Sequence, residues 1–380
     1  MPRQLTPAGP EAAAAALAGA AAGGEAVRIV GAGTKSRWGG GRRAPDVELR
    51  TAKLDRILEH NEGDLTAVLE AGVPLARAQQ QFASAGQMLA IDPFLGAGHE
   101  ATVGGVLATA DCGPMRHRYG APRDLVLGMT VALSDGALAR SGGKVIKNVA
   151  GYDLGKLFTG SFGTLGLIVS VSVRLHPLPA QTVTVLGDSG DASTVATAAL
   201  ALAGAPLELE ALDVAWRADR GGVLARCAGA AGPRRAERIA ELMRQAGIEQ
   251  VAITEEDAEL WARQRAGQRS SAGALMRVAA PPSALASVLE AVQASGATAV
   301  GRAADGHSFV DLDPGALGTL LAHLPPGVVT VLLDAPDELR AAVDPWGEPG
   351  DVPALELMRR VKERFDPARA CNQGVFVGGI

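Results

Sequence analysis

The stretch VRIVGAGTKSRWGGGRRAPDVELR, residues 27–50, decides how the chain folds. Val27–Val30 reads as a strand. Gly31-Ala32-Gly33-Thr34-Lys35-Ser36, directly after it, comes within one residue of the dinucleotide fingerprint G-x-G-x-x-G/A. That fingerprint requires a helix to begin inside it, because the helix N-terminus receives the pyrophosphate. Here Arg37-Trp38-Gly39-Gly40-Gly41-Arg42-Arg43-Ala44-Pro45 follows, and three glycines with a proline cannot make that helix. The Rossmann reading therefore fails. What remains is a glycine-rich loop between two strands, the second being Val47–Arg50. Either its bare amides wrap an anion, with the Thr34 and Ser36 hydroxyls adding donors, or it is an ordinary flexible hairpin. This loop by itself leaves both open.

Two further glycine segments favour the first alternative. Asp92-Pro93 and Gly96 to Gly98 lead into Ala101-Thr102-Val103-Gly104-Gly105, a helix opening whose paired glycines let another backbone or a ligand approach closely. Gly113-Pro114-Met115-Arg116, Tyr119-Gly120 and Arg123-Asp124 come next, with Arg116 and Arg123 as cations that would neutralise phosphate. The third segment is Lys147-Asn148-Val149-Ala150-Gly151-Tyr152-Asp153-Leu154, then Gly160-Ser161-Phe162-Gly163-Thr164-Leu165-Gly166. So many glycines beside apolar strands cost chain entropy, which points to backbone laid against a large planar ligand.

Around these loops, residues 65–73 read as a strand, followed by a helix from Pro74, a good first-turn residue, to a Gly86 stop. Residues 125–142 read as a hairpin about Asp135-Gly136, and 165–177 as a long alternating strand halted by Pro177. At PLPA (177–180) the pattern changes to plain strand–helix–strand. PRRAERIAELMRQAG places Ala236, Ile239, Ala240 and Met243 on one helix face, with Gly247 as its stop. A further helix is read from Thr254, with Asp257 as a capping-box analogue. VAITE, ALMRVAA and SFVDLD supply strands, and no internal repeat is visible. The expected organisation is a first domain over 1–178, an α+β second domain over 179–344, and a segment over 345–380 that returns to the first domain.

Bulk properties narrow the function. At 380 residues two domains are expected, and 47% hydrophobic with 20% charged residues is globular composition. A net charge of -5 with mixed signs, and only 3% aromatics, argue against a nucleic-acid partner. Cys112, Cys227 and Cys371 lie far apart, with no CxxC pair, so a cysteine-ligated iron–sulfur cluster within this chain is excluded and a disulfide framework is not expected. The alanine-rich start, with Glu11 at its head, reads as a short helix rather than an export signal. No stretch approaches a membrane span. A cytoplasmic location is expected, with any approach to the inner face of the membrane made through partners.

GPMRHRYGAPRDLVLG, KVIKNVAGYDLGKLFTGSFGTLGLIVSVSVRLHP and FDPARACNQGVF, taken in order with the first loop, resemble the FAD-binding domain of the vanillyl-alcohol oxidase/PCMH superfamily. Closer still, they resemble the FAD-binding E-type subunit of bacterial glycolate oxidase. The resemblance is dense over 27–177 and 346–380 and weak between. It implies an α+β protein: a two-part PCMH-type FAD-binding domain, then a second domain of ferredoxin-like sheet plus helices. It implies that Gly31, Ala32, Gly33, Thr34, Lys35 and Ser36 grip the FAD pyrophosphate. Asp92, Pro93, Thr102, Val103, Gly104 and Gly105 would line the flavin and its phosphates, with Ala108, Gly113, Arg116, Gly120, Arg123 and Asp124 near the cofactor. Gly163, Thr164, Gly166 and Ile168 would pass the ring. Asn372 would sit at the flavin edge, although the family's usual Asn-Pro-Gly is Asn372-Gln373-Gly374 here. Many relatives attach flavin through a histidine in the first loop. None stands between Gly31 and Gly41, so the FAD is expected to be non-covalent, with His99 a remote alternative and Cys112 a packed small residue.

Oxidising a 2-hydroxy acid requires a base, cations for the carboxylate, and flavin N5 near the carbon-bound hydrogen. Sister catalytic subunits carry a metal-binding H-x-G-D-G-N-x-H stretch. The nearest stretch here is Gly301-Arg302-Ala303-Ala304-Asp305-Gly306-His307, where one Asp and one His do not make a metal site and a turn at Asp305-Gly306 is the simpler account. His60 and His323 read as helix-end residues and His176 as a strand end. His117, between Arg116 and Arg118, is the strongest catalytic candidate, since neighbouring cations keep it neutral, but a structural or phosphate-adjacent role is preferred. Tyr152 reads equally as a hydrogen-bond donor near the ring or as a packed tyrosine. No catalytic residue and no metal ligand is assigned. The resemblance implies an accessory flavin subunit working with a catalytic flavin subunit and an iron–sulfur subunit on glycolate or another small 2-hydroxy acid. The alternatives are a self-sufficient FAD-dependent dehydrogenase and a structural subunit that no longer holds flavin.

Overall fold

Three short strands, β1 (Arg3–Leu5), β2 (Val27–Val30) and β3 (Val47–Arg50), form an all-parallel sheet in the order β1-β3-β2. This is the architecture of a computed structural model that describes residues 1–41, 43–144, 153–347 and 354–380. Because β2 and β3 are parallel, the loop between them is not a hairpin; parallel neighbours need a longer connection. Helix α1 (Pro10–Ala22) buries Ala13, Ala14, Leu17, Ala20 and Ala21 in one core with Val27, Val47 and Leu49. Ala132, Leu167 and Val169 of the neighbouring sheet and Ala370 and Cys371 of the tail complete that core.

The neighbouring sheet is antiparallel: β4 (Ile57–Asn61), β5 (Thr66–Glu70), β7 (Val126–Ala132), β8 (Leu138–Gly142) and β9 (Leu167–Arg174), in the order β4-β5-β9-β7-β8. Along β9 the serines alternate with buried valines, as the pattern required. Between β5 and β7 lie α2 (Leu75–Ser84), β6 (Gln87–Met88) and α3 (Val103–Thr109); β6 pairs with β10 (His176–Pro177). Pro74 stands at the N-cap of α2 rather than in its first turn, and Gly86 beyond its end takes φ +67°. His60 does not end a helix: it lies on β4, with Nε2 3.0 Å from Gln87 Oε1 and its ring edge-on to Phe82. α4 (Arg116–Tyr119) and α5 (Leu154–Phe158) flank the β7–β8 hairpin in the chain. The segment 147–152, with Tyr152, falls outside the described residues.

The chain divides into two units. The first comprises Met1–Cys112, Gly120–Leu178 and Glu348–Ile380. The second comprises Pro179–Gly347 together with Gly113–Tyr119, a segment expected in the first domain. The second unit is built on β11 (Thr182–Ser189), α6 (Ala192–Gly204), β12 (Ala211–Arg217), β13 (Arg220–Ala228), α7 (Gly232–Gln245) and β14 (Gln250–Thr254). After α8 (Ala258–Ala266) come β15 (Ala274–Ala279), α9 (Leu285–Ala294), β16 (Thr298–Arg302), β17 (His307–Leu312), α10 (Leu317–His323), β18 (Val329–Asp334) and α11 (Asp337–Ala342).

All eight strands form one antiparallel sheet, β14-β11-β13-β12-β16-β17-β15-β18. Each half is strand–helix–strand–strand–helix–strand, and the second half's spatial order is the mirror of the first about the β12–β16 seam. The sequence showed no repeat, yet the topology is one: a ferredoxin-like unit twice over. The repetition lies in element order rather than in residue identity. At the seam the register partners Asp213 and Arg302 form a buried ion pair, Nη1 to Oδ2 2.6 Å. Gln264 on α8 donates to the same carboxylate at 2.9 Å and to the Val214 carbonyl at 2.8 Å. The helix read from Thr254 starts instead at Ala258. The Asp257 carboxylate does not cap it but accepts from Thr184 and Arg226.

Candidate functional site

The first unit contains a cleft of about 800 Å³ of empty space, part of it open solvent. One wall is β2 and the loop Gly31–Ser36. A second is the start of α3 with Ala71, and a third is Phe162, Gly163, Gly166, Leu167 and Ile168 with Asn372 beside them.

The glycines have separable tasks. Gly33 takes φ +82°, turning the loop so that successive amides face one way. The amides of Ala32, Gly33 and Thr34 donate to no protein carbonyl among the described residues, whereas Ser36 N donates to Gly33 O at 3.0 Å and Trp38 N to Lys35 O at 3.1 Å. Donors left over beside a cleft are what an anion requires. Gly39 and Gly40 do something else: a Cβ on either would lie 2.5 Å from the carbonyl of Val375 or Gly374, and Gly40 N donates to Val375 O at 2.7 Å. They let the C-terminal tail clamp the loop.

The N-terminus of α3 is already satisfied. Val103 N donates to Val73 O, Gly104 N to Ala71 O, and Gly105 N to the side chain of the N-cap Thr102 at 3.2 Å. A Cβ on Gly104 would meet that of Ala71 at 2.6 Å, so Gly104 serves packing. Gly105 has room and faces the cleft.

Asn372 ties the walls together. Its Oδ1 accepts from Ile29 N at 2.8 Å and its Nδ2 donates to Phe162 O at 2.6 Å. Gly163 leaves space for that amide, since a Cβ there would lie 2.7 Å from Nδ2. Behind it, Lys362 on α12 (Leu355–Phe365) donates to Thr164 O at 2.6 Å, Asp366 Oδ2 at 2.6 Å and Cys371 O at 2.9 Å. Burial, then the Asp366 charge, raises the Cys371 thiol well above its ordinary pKa, so it stays protonated.

Of the residues expected at the site, Gly31 to Ser36, Thr102, Gly104, Gly105, Ala108, Gly163, Gly166, Ile168 and Asn372 line this cleft. Val103 and Thr164 are buried beside it, with Val103 N and Thr164 O engaged by Val73 and Lys362. Asp92, Pro93, Gly113, Gly120, Arg123 and Asp124 are not among the lining residues, nor are His99 and Cys112. Asp124 Oδ2 accepts from Ala121 N at 2.8 Å, and a Cβ on Gly120 would meet that oxygen, a packing role for both. Arg116 belongs to the second unit, ion-paired with Asp305. Lys35 lines the cleft, but its ammonium is 3.2 Å from the buried Asp111 carboxylate. Leu167, within the stretch 163–168 expected to pass the ring, lines it too, while Arg28, Ile29, Val30, Thr51, Ala71, Thr109 and Phe162 also line it and were not foreseen. No spacing marked them, because they reach the cleft through strand pairing and close packing rather than through a motif.

Within the second unit, α4 brings His117, Arg118 and Tyr119 to Glu210 and Asp305. Tyr119 donates to Glu210 at 2.7 Å, and Arg118 pairs with the same carboxylate at 3.1 Å. His117 is held below its ordinary pKa by burial first, and by Arg118 beside it, against the pull of Asp305 and Glu210. Burial, rather than the flanking cations, is the main reason it stays neutral. For Asp305, burial pushes the carboxyl up, but His307 and Arg116 outweigh it and hold it below the ordinary range.

The two-sheet fold and the glycine-walled cleft suit an FAD-binding domain. Residues 3–142 match the family model described as FAD binding domain, and FAD is the cofactor of that domain. The chain is 41% identical over 123 residues to glycolate oxidase subunit GlcE of Escherichia coli (strain K12), covering 32% of this chain and 35% of that protein. It is 38% identical over 133 residues to glycolate oxidase subunit GlcD of Bacillus subtilis (strain 168), 35% and 28% of the two chains. It is 41% identical over 135 residues to D-2-hydroxyglutarate dehydrogenase of Stutzerimonas stutzeri (strain A1501), 35% and 29%. These matches span about a third of the curated relatives' length. A solved alkyldihydroxyacetonephosphate synthase superposes with a TM-score of 0.67 over 97% of this chain and 76% of that one, at 13% identity, which speaks for the fold.

The residues present fit the group. Free amides over 32–34 suit a diphosphate, and an open Gly105 with the apolar Phe162, Leu167 and Ile168 along the same cleft suits a flat ring system beside it.

Proposed function

We propose that the chain is the FAD-binding subunit of a glycolate or similar 2-hydroxy-acid oxidase or dehydrogenase complex, and that it holds FAD without a covalent bond. The observation that carries this reading is the cradle of Gly31–Ser36, Thr102, Gly104, Gly105 and Asn372 along one cleft. In the Asp305–His307 turn, Asp305 is engaged by Arg116, and His307 Nδ1 leans back on it at 3.3 Å. Among the described residues, no three His, Cys, Asp or Glu side chains gather as a metal-ligand set. Bound flavin supplies a two-electron acceptor that also passes single electrons. The chain's own residues bind and shield it: the 32–34 amides hold the diphosphate, while Phe162, Leu167 and Ile168 offer apolar surface.

The three cysteines are scattered and buried or half-buried, and the reading includes a catalytic flavin subunit and an iron–sulfur subunit as partners. No helix among the described residues is long and apolar enough to cross a membrane; attachment at the inner face would come through partners. A second reading, a self-sufficient dehydrogenase, draws on the similarity to D-2-hydroxyglutarate dehydrogenase.

Anaerobic glycolate added to the purified chain separates the two. Flavin that stays oxidised alone, and is reduced once the partner subunits are added, supports the subunit. Bleaching by the chain alone makes it the dehydrogenase. Failure to co-purify with any partner from native extract would count against the complex.

A further inference from the structure

The diphosphate of FAD is negatively charged, yet the cations expected to meet it are committed elsewhere. Lys35 is paired with Asp111 inside the protein, the side chains 5% and 0% exposed. Arg116 is bound to Asp305, and Arg123 lies 3.8 Å from Asp124 without lining the cleft. One other basic residue lines it: Arg28, on β2. Its Nη2 stands 3.5 Å from Glu48 Oε1, whereas Arg50 Nη2 holds the same oxygen more closely at 3.2 Å. Two guanidinium groups thus share one buried carboxylate, leaving one positive charge in surplus. The Nε atoms of Arg28 and Arg50 are both buried without a hydrogen-bond partner among the described residues, and of the two arginines Arg28 alone lines the cleft, where a ligand can satisfy it.

We propose that Arg28 is the cation that receives the diphosphate of the bound cofactor, with Glu48 on the neighbouring strand beside it. The proposal rests on the FAD reading above. Arginine suits the task because its planar fork matches phosphate oxygens and its charge does not titrate. Arg50 provides the control, since it shares Glu48 but does not line the cleft.

The test is a titration of flavin-stripped full-length chain with FAD, followed by flavin fluorescence, for wild type, Arg28→Met and Arg50→Met. Arg28→Met weakens FAD binding about tenfold to a hundredfold, the range for a charged hydrogen bond, while Arg50→Met stays within about twofold. Wild-type affinity falls as salt rises, and that dependence is shallower in Arg28→Met. ADP, used as a competitor, loses affinity in parallel with FAD, and adenosine does not. Both stripped variants melt together, because each leaves Glu48 one arginine. Equal affinities for Arg28→Met and wild type would overturn the proposal. So would equal losses in the two variants, which would make Arg28 a support for Glu48, or a parallel loss for adenosine with unchanged salt dependence, which would mean stacking on the base. A wild-type chain that binds no FAD would instead refute the FAD reading itself.

Discussion

Gly31 lies so close to Thr102 that a Cβ at position 31 would sit 2.3 Å from the threonine Oγ1. The first residue after β2 is thereby packed on the N-cap of α3, which joins the first wall of the cleft to the second. Gly31→Val forces Thr102 off its cap. Overpacking at about 1–3 kcal/mol and a lost cap of about 1 kcal/mol should lower stability in urea denaturation and abolish flavin retention together. Wild-type stability in this variant would show that the wall yields at no cost.

Gly105→Trp should separate those two effects. A Cβ there meets only Thr102 Oγ1, at 3.1 Å, and the side chain enters the cleft. Flavin should be lost while the stripped protein unfolds within about 1 kcal/mol of wild type. Full flavin occupancy in this variant would remove Gly105 from the site.

Asn372→Ala leaves the Ile29 amide and the Phe162 carbonyl without their partners. Losing these two part-buried hydrogen bonds should cost about 1–3 kcal/mol and weaken FAD, since both groups stand on lining residues. A chain that loses less than about 0.5 kcal/mol would show that the staple is replaceable by water.

Lys362→Met strands the Asp366 carboxylate, which would keep only the amides of Ala370 and Cys371, at 3.1 and 2.8 Å. Breaking one side of a buried pair costs about 3–5 kcal/mol. Chemical denaturation should report a loss of that size, with the tail 366–376 becoming open to proteolysis.

His117 gives stability a pH dependence. Its folded pKa lies below 6.5, so between that lowered value and 6.5 the unfolded chain binds a proton the folded chain does not. Stability conferred by the neutral ring is full above pH 6.5 and declines as pH falls through that window. Below 3.8, protonation of Asp305 removes more in the same direction. Urea midpoints at pH 7.5 and 5.5 should differ in wild type and differ less in His117→Gln. An equal fall in both would assign the dependence to other groups.

Much of this was legible in the sequence. The glycine loop could be separated from a Rossmann turn because helix formation after Gly33 is forbidden locally. Strand β9 carries its burial in the alternation of serine and valine over 170–173, whereas β2 and β7 announce themselves only as short apolar runs. What escaped notice depends on distant partners. Nothing near Lys35 announces Asp111, and nothing near Gly39 and Gly40 announces that they make room for Val375 and Gly374 rather than for a ligand. The short strands β1, β4 and β6 are too brief or too polar to register by period. The repeated half of the second unit is invisible because sheet order is a property of pairing, not of residue identity.

The most direct test of the central claim, that the first unit holds FAD without a covalent bond, is the visible spectrum of the purified full-length chain before and after acid precipitation. The account predicts flavin bands before precipitation and, afterwards, all of the flavin in the supernatant as intact FAD. A protein that stays colourless even when supplied with FAD, or flavin that stays with the pellet, would contradict it.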